Sequence, residues 1–134
     1  MTGHMVAQAA EALLGTPFRL HGRNAHQGLD CMGLVEAAMT AAGQPVRLPV
    51  DYTLKMRSIK RFAEVALQVG LVPASGSAKA GDILLLRVGP CQFHLGIVGL
   101  NGDFIHAHAG LRRVVSSPLP QGDILDRWRL PGET

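Results

Sequence analysis

Gly28-Leu29-Asp30-Cys31-Met32-Gly33-Leu34-Val35-Glu36 places one cysteine just behind a residue suited to start a helix. Asp30 has the short side chain favoured at a helix N-cap. Val35, Ala38, Met39 and Ala42 then recur at helical spacing until Gly43 offers a stop. The pattern predicts an amphipathic helix from Cys31 to about Ala42. A thiol in the first turn meets the positive end of the helix dipole and backbone N–H groups that the helix itself does not use, and both favour the thiolate. Those N–H groups are equally suited to an oxyanion on a substrate carbonyl. Cysteine also packs well inside apolar helices, so the helix start alone leaves nucleophile and core residue both open.

Two histidines further on give the thiol its partners. His94 opens the apolar run His94-Leu95-Gly96-Ile97-Val98-Gly99-Leu100, and His106 lies in Asp103-Phe104-Ile105-His106-Ala107 beyond Asn101-Gly102. A nucleophilic thiol needs a base, and the base needs a third polar group to orient it. Cys31, His94 and His106 offer those three parts on one helix and one hairpin. A two-residue turn at Asn101-Gly102 would pair Ile97 with His106 and turn His94 to the opposite face. Catalysis by both rings therefore requires an irregularity, either a three-residue turn or a bulge, for which Gly96 and Gly99 are suitable sites.

At 134 residues, with 47% apolar and 17% charged residues, the chain is predicted to be one folded domain over 1–134 rather than a disordered one. Residues 1–5 are expected to lie outside the fold, as disorder or a tag remnant. No apolar run reaches the ~20 residues that span a bilayer, and Met1-Thr2-Gly3-His4-Met5 lacks the basic and apolar regions of a signal peptide. Two cysteines without an export signal do not read as a disulfide framework. A helix from Val6 to Leu14 and another from Tyr52 to Val69 are predicted, followed by strands at Asp82–Val88, His94–Leu100, Asp103–Ala109, Leu111–Ser116 and Ile124–Leu130. Lys55, Arg57, Lys60 and Arg61 crowd one side of the second of these helices. With no aromatic residues interleaved, they read as a solvated face, and nucleic acid and membrane are not expected partners. Helices first and strands afterwards imply an α+β layer architecture, with the cysteine helix packed on an antiparallel sheet.

Five segments in order carry a family resemblance: Thr16-Pro17-Phe18-Arg19, Gly28-x-Asp30-Cys31-x-Gly33-Leu34, Ala80-Gly81-Asp82-Ile83-Leu84-Leu85, His94-x-Gly96-Ile97-Val98 and Phe104-Ile105-His106-Ala107. From about Ala10 to Trp128 the chain resembles the NlpC/P60 cysteine peptidases, which hydrolyse peptide bonds in bacterial cell-wall stem peptides. Its Asp-Cys-Met-Gly-Leu form and the closing Val115-Ser116-Ser117-Pro118-Leu119…Trp128 are similar to the branch found in tailed-phage and gene-transfer-agent clusters. The resemblance implies a papain-like α+β fold, with Cys31 as nucleophile, His94 as base and His106 as the orienting third member. It implies peptidoglycan stem peptides as substrate, with the γ-D-glutamyl to diamino-acid bond as the one cut. No cofactor is implied. Phage-tail or gene-transfer-agent structural proteins are the implied partners. Synthesis in the cytoplasm would then be followed by action on the wall from a phage-like particle or after lysis.

Three positions depart from the family pattern. Phe18 stands where the family usually has a tyrosine near the nucleophile. His21-Gly22 replaces Gly-Gly, and Met32 replaces Ser or Ala. Asp30, Phe18, His21 and Met32 are accordingly candidates for substrate or oxyanion contact, with His21 otherwise a surface-loop residue. Three other readings compete. Cys91, His94, His106 and His108 supply four possible zinc ligands. A relative without activity would be a wall-binding or tail structural module. A thiol acyltransferase or amidase keeps the chemistry but usually places histidine before cysteine.

Overall fold

The computed structural model describes residues 3–48, 60–89 and 92–131. Among these, helix α1 (Gly3–Ala12) is followed by the short strands β1 (Arg23–Asn24) and β2 (Gly28–Leu29), then α2 (Cys31–Ala41) and α3 (Lys60–Gln68). Strands β3 (Val72–Pro73), β4 (Ile83–Gly89), β5 (Gln92–Val98), β6 (Phe104–His108), β7 (Arg113–Ser117) and β8 (Ile124–Arg129) form one antiparallel sheet in the order β3-β8-β4-β5-β6-β7. The result is the papain-like α+β arrangement, with helices from the N-terminal half packed on a sheet from the C-terminal half. Residues 3–5, expected outside the fold, are the first turn of α1. The predicted helix at Tyr52–Val69 is seen from Lys60 onward; Lys55, Arg57 and Cys91 lie outside the described residues.

The sheet is apolar on both faces in its middle. Ile83, Leu85, Leu95, Ile97, Ile105 and Trp128 meet Val6, Ala10, Leu34, Val35, Ala38 and Met39 of the helices in the main core. Leu84, Leu86, Val98 and Phe104 form a smaller cluster on the other face, covered in part by Ala78 and Leu119. Four consecutive buried residues, Ile83 to Leu86, therefore read as an unbroken apolar run instead of an alternating one. Phe62 of α3 meets Phe93 of β5 edge to face at 5.7 Å, and the buried Asp82 takes both Nε and Nη2 of Arg129 at 3.0 and 2.9 Å.

The segment from Gly15 to Phe18 lies along the outer edge of β7. Gly15 N–H donates to the Val114 carbonyl, Val114 N–H to Thr16, and Phe18 N–H to Arg112, at 2.9, 2.8 and 2.9 Å. On its other side, Leu29 N–H donates to the Pro17 carbonyl at 2.9 Å and Arg19 N–H to Leu29 at 3.2 Å. One strap of backbone thus ties the last strand of the sheet to the residues that lead into α2.

Candidate active site

Helix α2 begins at Cys31 because Asp30 caps it. The Asp30 backbone is extended (φ −97°, ψ −169°), and its Oδ1 accepts from Gly33 N–H at 2.8 Å. Its Oδ2 accepts from His21 N–H at 2.8 Å, and Arg23 Nη1 stands 3.6 Å from Oδ1. The fully buried carboxylate therefore joins the helix start to the preceding loop. Gly33 makes that junction close, since a Cβ there would run into the Gly22 carbonyl oxygen. The sequence motif is thus a packing device around a thiol that is 2% exposed.

The β5–β6 hairpin has the three-residue turn. Gly99 N–H donates to the Asp103 carbonyl at 2.7 Å, and Gly102 N–H to Gly99 at 3.1 Å. Gly102 has φ +83°, a conformation that glycine adopts without steric cost. The register becomes Ile97↔Ile105 and Val98↔Phe104, one residue from the two-residue alternative, so His94 and His106 share a face. His94 Nε2 lies 3.0 Å from His106 Nδ1, and His106 Nε2 lies 3.0 Å from Ser117 Oγ. Phe104 stacks on His106 at 4.8 Å and presents its edge to His94 at 6.4 Å. Its ring fills the place a side chain at Gly96 would take, which gives that glycine a role without a bulge.

Cys31, His94 and His106 line one cavity of about 310 Å³, together with Phe18, Val88 and His108. Phe18 is half-buried and is held there by the strap. His108 Nδ1 accepts from Leu111 N–H at 3.0 Å. The other candidates stand elsewhere. Met32 is buried in the main core, and Asp30 is the helix cap. His21 is exposed with φ +62°, so the family's glycine fits this left-handed position with less strain than histidine does. Ser117, which the sequence shows only as part of the closing Val115–Leu119 segment, is not one of the candidate site residues above. Its signal is recoverable only from register: Val115 pairs with His106, and two residues on, Ser117 returns to the same face.

Burial first, then His106 and His108, push His94 down to about 4 from the ordinary 6.5. Burial and then His108 push His106 down to about 4. Both rings are therefore neutral at neutral pH, and each carries one N–H. An unfolded histidine binds a proton near pH 6.5 and these do not, so the resulting stability is complete above that value and is lost as pH falls toward 4. His94 contributes up to ~1.4 kcal/mol per pH unit inside this window, and the more exposed His106 less. Denaturant unfolding at pH 7, 5.5 and 4 is expected to show this decline, and a shallower one for His94→Gln. Identical slopes in parent and variant would mean that the His94 ring is not held neutral.

Phe18 at the cavity wall lacks the hydroxyl expected of its family position. Phe18→Tyr is expected to leave turnover unchanged or raise it several-fold, with the melting temperature within about 2 °C of the parent. A large loss of turnover with an unchanged melting temperature would show that the site has been rebuilt around the missing hydroxyl.

No curated protein matches the chain. Among solved structures, the NlpC/P60 domain of the peptidoglycan hydrolase SagA is 21% identical, with 95% of this chain and 97% of that one covered at a TM-score of 0.66. The peptidoglycan hydrolase RipB of Mycobacterium tuberculosis is 22% identical, covering 98% of this chain and 65% of its own at 0.67. NlpC1 of Trichomonas vaginalis is 21% identical over 96% of this chain, with a TM-score of 0.68, and this chain spans only 43% of it. The sequence profile of one family covers residues 15–128, from the strap through the cysteine helix and both histidine strands to Trp128, and by that match the chain belongs to the NlpC/P60 family.

Proposed function

We propose that this chain is a cysteine endopeptidase acting on peptidoglycan stem peptides. The observation that carries this reading is the meeting of Cys31, His94 and His106 at one cavity, with the two rings hydrogen-bonded to each other. His94 uses Nε2 toward His106, which leaves Nδ1 to take the thiol proton. The Cys31 sulfur attacks the peptide carbonyl carbon, a C–S bond forms, and backbone N–H groups at the start of α2 stabilise the oxyanion. His94 then returns the proton to the leaving amine as the C–N bond breaks. Water, deprotonated by the same ring, releases the acyl group and restores the thiol.

SagA and RipB, both described as peptidoglycan hydrolases, support the substrate class. The γ-D-glutamyl to diamino-acid bond is the bond proposed. Delivery with a phage-tail or gene-transfer-agent particle is the proposed context, resting on the form of the Cys31 motif and the closing segment. Among the described residues, no helix is long and apolar enough to cross a membrane, and no group of three or more His, Cys, Asp or Glu side chains is arranged to hold a metal ion.

Incubation of the protein with purified muropeptides, followed by mass spectrometry, tests reaction and bond together. One new pair of fragments differing by cleavage at the γ-D-glutamyl bond is expected, with equal yield in the presence of a chelator. Intact muropeptides after prolonged incubation would favour the wall-binding or structural module. Loss of cleavage on chelation, restored by zinc, would favour a metal site that includes Cys91.

A further inference from the structure

His106 has a partner at each ring nitrogen: His94 at Nδ1 and Ser117 at Nε2, both at 3.0 Å. Two directions of hydrogen bonding satisfy such a chain. In one, His94 Nε2–H donates to His106 Nδ1, and His106 Nε2–H donates to the Ser117 oxygen. In the other, Ser117 donates to His106 Nε2, and His106 Nδ1–H donates to His94 Nε2. The second puts the only hydrogen of a neutral His94 on Nδ1, the nitrogen that must receive the thiol proton. Only the first direction leaves His94 competent, and it requires an acceptor at His106 Nε2.

We propose that Ser117 is a positioning residue whose hydroxyl accepts from His106 Nε2–H and thereby stabilises the pair of tautomers that leaves His94 Nδ1 free. This rests on the peptidase reading for its purpose, and on the two contacts for its geometry. The sheet fixes the serine: Ser117 pairs with Phe104, so its oxygen reaches diagonally to His106 while Phe104 stacks on that same ring. When His94 becomes an imidazolium, its Nε2–H needs a lone pair at His106 Nδ1. Ser117 keeps that lone pair in place by holding the hydrogen of His106 on the far nitrogen. A neutral imidazole orients its neighbour less strongly than a carboxylate does, and the hydroxyl compensates by giving the competent direction a part-buried acceptor at His106 Nε2.

Nitrogen NMR of histidine-labelled protein at neutral pH, with Ser117→Ala and Ser117→Thr variants, tests this directly. The parent is expected to show His94 and His106 both protonated at Nε2. In Ser117→Ala the His106 signals should move toward a mixture of tautomers, and in Ser117→Thr, which keeps the hydroxyl, they should return. Turnover of muropeptide should fall about tenfold in Ser117→Ala at nearly constant KM, and recover in Ser117→Thr. Parent rings protonated at Nδ1, or His106 tautomers unchanged in Ser117→Ala, would overturn the proposal. A parent without hydrolytic activity would overturn the peptidase reading instead, while the NMR result would still decide the role of Ser117.

Discussion

Replacing Cys31 with alanine is expected to lower stem-peptide hydrolysis by at least ~10³-fold, because Cys31 carries the one thiol, and no hydroxyl side chain stands beside it, among the described residues lining the cavity. The protein should remain folded. Cys31 is buried at the start of α2, but the substitution removes one sulfur and introduces the best helix former, and Asp30 still caps the helix through Gly33. The cost in unfolding free energy should be on the order of 1 kcal/mol, readable as a small drop in melting temperature. Hydrolysis near the parent rate by a well-folded Cys31→Ala protein would remove the thiol from the mechanism. The same variant should still bind muropeptide, which separates loss of chemistry from loss of the cavity.

His94→Ala is the second large effect, and it should exceed that of His106→Ala. The first substitution removes the group that takes and returns the proton, a contribution of roughly 10²–10⁴-fold in rate. The second leaves the base in place but unanchored. His94 would then keep its edge contact with Phe104 and lose its 3.0 Å bond to His106. Steady-state kinetics on one muropeptide, compared for parent and both variants, gives the order. Should His94→Ala retain more activity than His106→Ala, the roles of base and orienting ring must be exchanged.

The cysteine helix was legible because its signals are local: a capping aspartate, helical spacing and a glycine stop within fourteen residues. The fold class was legible for a related reason, since helical and strand patterns fall in separate halves of the chain. The hairpin was legible only as a constraint. Two histidines had to share a face, yet nothing in Leu100-Asn101-Gly102 states which residue will take the left-handed conformation until the strands on either side have packed. Ser117 was not legible at all. A serine near the end of a strand is ordinary, and its contact with His106 depends on a register between β6 and β7 that tertiary packing sets. His21, by contrast, is the exposed loop residue that its surface-loop reading gives, and Met32, at the second position of the helix, faces the core.

The strap from Gly15 to Phe18 has a consequence for self-association of the protein. An uncovered final strand offers its N–H and C=O groups to any other extended chain and is a common start of self-association. Here the Arg112–Val114 stretch of that edge is already occupied, by the same backbone that carries Phe18 to the cavity and bonds to Leu29 just ahead of Cys31. Colloidal behaviour and the proposed catalysis therefore share one element. A proteolytic nick or an insertion between Thr16 and Phe18 would loosen the cavity wall and bare a template for aggregation in a single event, so damaged copies would leave solution as they lose activity.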